Sequence, residues 1–148
     1  MAKTDISFKN ILVPYDGSSY SNNAFKKALD IAKADGSKII VFMLIEEVYS
    51  TIMGYSGINN KVIKKQQSTA MNYSSKLKSV ATNLGVPFTF KIKQGSNPVK
   101  EIINCAISYK CDLIVLGSHG RTGWSKLILG SVANGVVQHA KSAVLVVK

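Results

Sequence analysis

The sequence predicts an α/β fold: an open parallel sheet of five strands with helices on both faces. Three observations carry this. Short apolar runs rich in β-branched residues alternate along the chain with stretches of helical periodicity. The run Ile39-Ile40-Val41-Phe42-Met43-Leu44-Ile45 is apolar without alternation, as a strand buried on both faces of a parallel sheet must be. At 148 residues, 46% hydrophobic and 18% charged, the chain suits one domain, 1–148, whose core needs no disulfide or metal. Such alternation implies right-handed βαβ crossovers. Ligands of these sheets bind beyond the carboxyl ends of the strands, where the strand order reverses.

The first strand covers residues 10–15 and ends at Pro14 and the Asp16-Gly17 turn, where Ser18 or Ser19 can cap the next helix. Ala24, Phe25, Ala28, Ile31 and Ala32 give that helix an apolar face, and it stops before Gly36. Residues 38–45 form the second strand. From 46 to 60 the periodicity fails over more residues than an ordinary connection needs, which predicts a mobile flap or a disordered segment. Tyr49, Met53 and Tyr55 within it either cover a ligand or belong to a plain surface excursion.

Val62, Thr69, Ala70, Tyr73, Leu77, Val80, Ala81 and Leu84 mark a long amphipathic helix, terminated by Gly85 and Pro87. Residues 88–93 alternate strictly, as in an edge strand with one wet face. Asn97-Pro98 opens the next helix as cap and first helical residue, with Ile102, Ile103, Ala106 and Ile107 inward. Residues 112–116 form the fourth strand. A last helix over 131–140, with Val132, Val136, Val137 and Ala140 inward, precedes the final strand at 143–147.

The net charge of +11 comes from lysines spread over most elements and reads as solvated surface with a residual preference for anionic ligands. Cys105 and Cys111 have neither redox nor zinc spacing and are expected as buried apolar residues in a reducing interior. No apolar run nears the ~20 residues of a membrane span, and residues 1–5 carry no apolar signal core. A cytoplasmic protein without a membrane partner is the expectation.

The stretch from Gly117 to Ser131 leaves the fourth strand, crosses a glycine-rich loop and enters a helix. Glycines admit an anion close to main-chain N–H groups, and the helix start supplies unpaired donors and a positive dipole end. Ser131 can cap the helix or bind a phosphate oxygen. The single arginine, Arg121, lies in this loop, with Lys126 beyond it. Gly130 and Gly135 have the Walker glycine spacing, but Val136-Val137 replace its lysine and hydroxyl, and no G-x-G-x-x-G is present. What stands there is Gly117-x-x-Gly120, nine residues, then Gly130-Ser131.

This pattern, G-x2-G-x9-G-[ST], resembles the signature of the universal stress protein family in its ATP-binding branch. The likeness extends to Val13-Pro14-Tyr15-Asp16-Gly17-Ser18 and to the C-terminal Ser142-Ala143-Val144-Leu145-Val146-Val147. It implies a Rossmann-like sheet in order 3-2-1-4-5, a homodimer, and ATP held across strands 1, 2 and 4. By position, Pro14 and Asp16 would line the nucleoside side, with the Asp16 carboxylate near the ribose or a magnesium or manganese ion. Leu44 would contact adenine and Leu116 and Gly117 the ribose, while Gly120, Gly130, Ser131 and Val132 would take the phosphates. Arg121 and Trp124 fall in the spacer, where the pattern fixes nothing. If the last strand is an edge, its apolar run 143–147 needs cover, and a two-fold mate would supply it.

The expected function is a nucleotide-dependent regulatory module in stress response. A slow ATPase or phosphotransferase is the alternative, with no catalytic residue assigned: phosphoryl transfer needs a group to orient the nucleophile, and His119 reads as an exposed loop residue rather than a base. Nucleic-acid binding ranks last, and no sequence-specific nucleic-acid partner is expected, because no aromatic-and-basic motif accompanies the charge. His139 is read as complementing a helix C-terminus, and Trp124 as sealing the loop.

Overall fold

The computed structural model describes residues 6–52, 55–122 and 128–148. Met53 and Gly54 in the expected flap, and Trp124 and Lys126 in the glycine loop, lie outside the described residues. Five parallel strands form the main sheet: β1 (Asn10–Pro14), β2 (Lys38–Glu46), β5 (Phe88–Gly95), β6 (Leu113–Gly117) and β7 (Ala143–Val147). Their order is β5-β2-β1-β6-β7, the expected 3-2-1-4-5 once an added hairpin is set aside. That hairpin corrects the flap reading of residues 46–60. β3 (Tyr49–Ile52) and β4 (Tyr55–Ile58) pair antiparallel, and Asn59 N–H donates to the Val48 carbonyl across the neck at 2.7 Å.

Side-chain parity divides the core in two. Ile11 and Val13 of β1, Ile39 and Val41 of β2, and Leu113 and Val115 of β6 face α1 (Ser19–Asp35) and α2 (Asn60–Asn83). Leu12, Ile40, Phe42, Ile114 and Leu116 face α3 (Pro98–Ser108) and α4 (Ser131–His139). Ile11, Leu12, Val13, Ile114 and Val115 are fully buried, so the sheet centre is dry on both sides.

Helix starts follow their caps. Ser18 Oγ accepts from Ser21 N–H, Asn59 Oδ1 from Val62 N–H and Asn97 Oδ1 from Lys100 N–H. The last two leave Pro98 at the head of α3, as expected, and start α2 two residues earlier than its apolar pattern. At α4 the expectation fails. The cap position is Gly130, in extended conformation with no side-chain cap, and Ser131 is the first helical residue.

Two apolar faces are narrower than the periodicity implies. Ile107 and Val137 point to solvent, because α3 and α4 rest on the sheet and on each other along a thin line. That line requires close approach: a Cβ on Gly135 would stand 2.6 Å from Val99 Cγ2. Cys105 and Cys111 are buried and unbridged, and burial pushes their thiols up to about 11 and about 12. Both remain protonated near neutrality and behave as small apolar residues. No described helix is long and apolar enough to cross a membrane.

Candidate functional site

The strand order reverses between β1 and β6, where the chain returns from β5 to the other side of the sheet. The ladder between these two strands pairs Ile11 with Leu113 and Leu12 with Ile114 and goes no further. Beyond it lie Pro14, which has no N–H to donate, and Gly117. The loops that follow are therefore separate strands' ends held together by side chains.

Asp16 does most of the holding. Its Oδ1 accepts from Ser18 N–H at 2.9 Å, and its Oδ2 accepts from Arg121 N–H at 3.1 Å across the switch point. A Cβ on Gly120 would lie 3.1 Å from that same Oδ2, so glycine there lets the loop lie over the carboxylate. Ser118 anchors the loop from below. Buried to 2% exposure, it donates its N–H to the Val147 carbonyl at 2.8 Å and accepts Gly130 N–H at 2.7 Å. The start of α4 is thereby tied to the end of β6.

Gly130 N–H is thus consumed, and the first intrahelical bond of α4 runs from Asn134 N–H to Gly130 O. The N–H groups of Ser131, Val132 and Ala133 precede the helical ladder and face no capping side chain. Ser131 is exposed, whereas the Val132 side chain packs into the core and can offer a ligand only its backbone. His119 is half-buried rather than exposed: its Nδ1 lies 3.0 Å from Ser118 Oγ and its ring 5.2 Å from that of Tyr20.

The floor is apolar. Leu44, Leu116 and Pro14 share the sheet face toward α3 and α4 by parity, on the three adjacent strands β2, β6 and β1. The β1–β2 register places Pro14 beside Phe42, so Leu44 projects two residues further. Strands about 4.8 Å apart, with Leu44 two residues further along than Leu116, put the two roughly 12 Å from one another. Among the described residues no group of three or more His, Cys, Asp and Glu could by itself hold a metal ion.

Three supporting residues escape sequence reasoning. Ser118 looks like loop filler in Gly-Ser-His-Gly. Tyr20 crowds Gly117, where a Cβ would stand 2.7 Å from the Tyr20 Cβ. Tyr73 reaches from α2 over Gly17, whose φ of 81° also requires glycine, and meets the Tyr15 ring edge-on at 5.3 Å. None belongs to a local pattern, since each acts across more than 50 residues or against a backbone.

An open parallel sheet with a glycine loop and an uncapped helix start at its switch point defines a class of small-ligand-binding α/β proteins. Within that class, the model of the Universal stress protein family matches residues 7–148, and the chain belongs to that family. A universal stress protein of Methanocaldococcus jannaschii is 33% identical over 146 residues, spanning 95% of this chain and 82% of its own. Among solved structures, that of the hypothetical protein MJ0577 superposes with a TM-score of 0.81 at 25% identity over 97% of both chains. An Archaeoglobus fulgidus family member in complex with dAMP shares the fold at TM-score 0.68 and 20% identity, over 95% of this chain and 98% of its own. So does an Arabidopsis thaliana member with AMP bound, at 0.69 and 16%, over 95% and 91%.

Proposed function

We propose that the chain is a single universal stress protein domain that binds ATP, or a related adenine nucleotide, as a regulatory module of the cytoplasm. The observation that carries this is the convergence at the β1–β6 switch point of Asp16, the Gly117–Gly120 turn and the uncapped start of α4. The complexes of family members with dAMP and AMP support adenine as the base.

The residues fit such a ligand. Phosphate oxygens are complementary to the Ser131 hydroxyl and to the N–H groups of Ser131 and Val132, with Gly120 leaving the space beside them open. The span of roughly 12 Å from Leu44 to Leu116 suits a base and ribose laid across the strand ends, with Pro14 and Gly117 beside the sugar. Asp16 keeps lone pairs beyond its two N–H partners. A magnesium or manganese ion there would need phosphate oxygens for most of its remaining ligands, which makes metal binding dependent on the nucleotide.

Two results are expected of the purified protein. Denaturation should release an adenine nucleotide identifiable by chromatography and mass, or titration calorimetry should show ATP binding. Hydrolysis without a partner should stay far below the ~10 s⁻¹ of a typical enzyme, because no Walker lysine is present and the His119 Nδ1 faces Ser118. Failure to bind any adenine nucleotide would remove the proposal, and fast turnover would replace it with an enzyme.

We further infer a homodimer through β7. The strand is a sheet edge, its run Ala143-Val144-Leu145-Val146-Val147 has no charge, proline or bulge to protect it, and Leu145 is 36% exposed. At the opposite edge, β5 carries exposed Lys91 and Lys93. Val144 and Val146 turn toward α3 and α4, so a charge placed on either would damage the fold. Leu145→Lys tests the interface more cleanly. It should move the light-scattering mass from dimer to monomer with an unchanged far-ultraviolet spectrum; a wild type already monomeric at micromolar concentration would end the idea.

A further inference from the structure

We propose that the outer face of α2 is a docking strip for the phosphate backbone of duplex nucleic acid, gripped without reading its sequence. The helix carries Lys61, Lys64, Lys65, Lys76 and Lys78 and not one acidic residue over its 24 positions. All five lysines are exposed. Ile63, Ala70, Leu77 and Ala81 form the buried line; at 3.6 residues per turn Lys61, Lys64, Lys65 and Lys76 fall in the half of the helix opposite it, with Lys78 on the flank.

The protein leaves this charge uncompensated. Asp16, Asp35 and Asp112 spend carboxylate oxygens on backbone N–H groups. Among the described residues the ion pairs are Lys27 with Asp30 and Lys93 with Glu101, neither on α2. Lys61 also stands in the first turn, where the helix dipole disfavours cations, and that turn contains no acid to offset it. An external polyanion would relieve both costs.

The arrangement suits a duplex better than a membrane. The first lysine group and Lys76 are about 20 Å apart at 1.5 Å per residue, enough to reach phosphates on both sides of a groove about 12 Å wide. Between and beside them the exposed positions are Ser68, Asn72, Ser75, Ser79 and Thr82, hydroxyl and amide side chains of the kind that contact phosphate and sugar. A helix lying in a lipid surface needs an apolar face for the acyl region, and here that face is spent on the sheet, with Met71 and Val80 the large apolar side chains of the helix left exposed.

The test is fluorescence anisotropy of a labelled 25-base-pair duplex with the full chain, at salt from 50 to 200 mM. Two unrelated duplex sequences should bind alike, with log affinity falling against log salt at a slope of about −4, as roughly four neutralised phosphates require. Lys61, Lys64 and Lys65 changed together to Gln should weaken binding at least tenfold and flatten the slope by two to three. The matched set on α1, Lys26, Lys27 and Lys33 to Gln, should change it less than threefold. Because all three α2 side chains are exposed and stand in neither ion pair of the described residues, the melting temperature of the α2 variant should stay within about a degree of wild type, which separates lost docking from lost structure. No duplex binding at 50 mM salt, equal effects of the two sets, or binding to vesicles of anionic lipid in preference to the duplex would each overturn the proposal.

Discussion

Gly117→Val is expected to lower the melting temperature by about 2–12 °C. A Cβ at this position would sit 2.7 Å from the Tyr20 Cβ and 2.8 Å from the Tyr20 carbonyl carbon. The second contact is with backbone, so no rotamer change relieves it. α1 itself must move, and α1 packs against β6, β1 and β7. Forcing atoms into a packed region costs about 1–3 kcal/mol, and each kcal/mol shifts a domain of this size by roughly 2–4 °C. Gly36→Ala is the comparison. Its φ of 72° penalises alanine by about 1–2 kcal/mol, but no atom lies within 4 Å of the new Cβ. Scanning calorimetry should rank Gly117→Val below Gly36→Ala. The reverse order would mean that α1 yields easily and that the switch point is loosely packed.

Much of this architecture is written in local sequence. Asn97-Pro98 announces α3 because cap and first helical residue are adjacent and need no distant partner. Gly36 closes α1 in the left-handed conformation that its neighbours in sequence already suggest. The buried run of β2 needs only its lack of alternation. The hairpin is different: each strand has four residues, too few for a period-two pattern to emerge beside Gly54 and Gly57. The α4 cap is illegible for another reason. Gly130 takes the cap because its N–H is held by the Ser118 carbonyl, twelve residues back, and Ser131, the better capping residue by type, is thereby moved one place into the helix. The glycine signature is legible as a pattern, yet its geometry rests on Tyr20, Ser118 and Asp16, which act through space. Gly130 itself is a poor probe of the cradle. A Cβ there would lie 3.2 Å from the Ser118 oxygen and 3.3 Å from the His119 Cα, so substitution disturbs the loop along with any ligand.

Gly120→Val is therefore the sharper challenge to the phosphate cradle, and it should cost ATP at least tenfold in affinity while leaving the melting temperature within a few degrees. Gly120 is exposed, and among the described residues the one atom near its missing Cβ is Asp16 Oδ2 at 3.1 Å. A valine there occupies the space above the carboxylate and between the two loops, not the core. Ser131→Ala isolates a single contact. Since Ser131 does not cap α4, alanine removes no helix bond and carries a slightly better helical propensity. Any loss of binding then belongs to the ligand: about 1.5 kcal/mol for one hydrogen bond to a charged oxygen, close to a tenfold rise in Kd. AMP should bind more weakly than ATP to the wild type, because the donors at the start of α4 suit outer phosphates. It should also lose less on Ser131→Ala than ATP does. Titration calorimetry of the three proteins with both nucleotides separates these effects. Equal ATP affinity for wild type and a folded Gly120→Val would assign the glycines to loop closure alone, with Asp16 serving only as the clamp between β1 and β6.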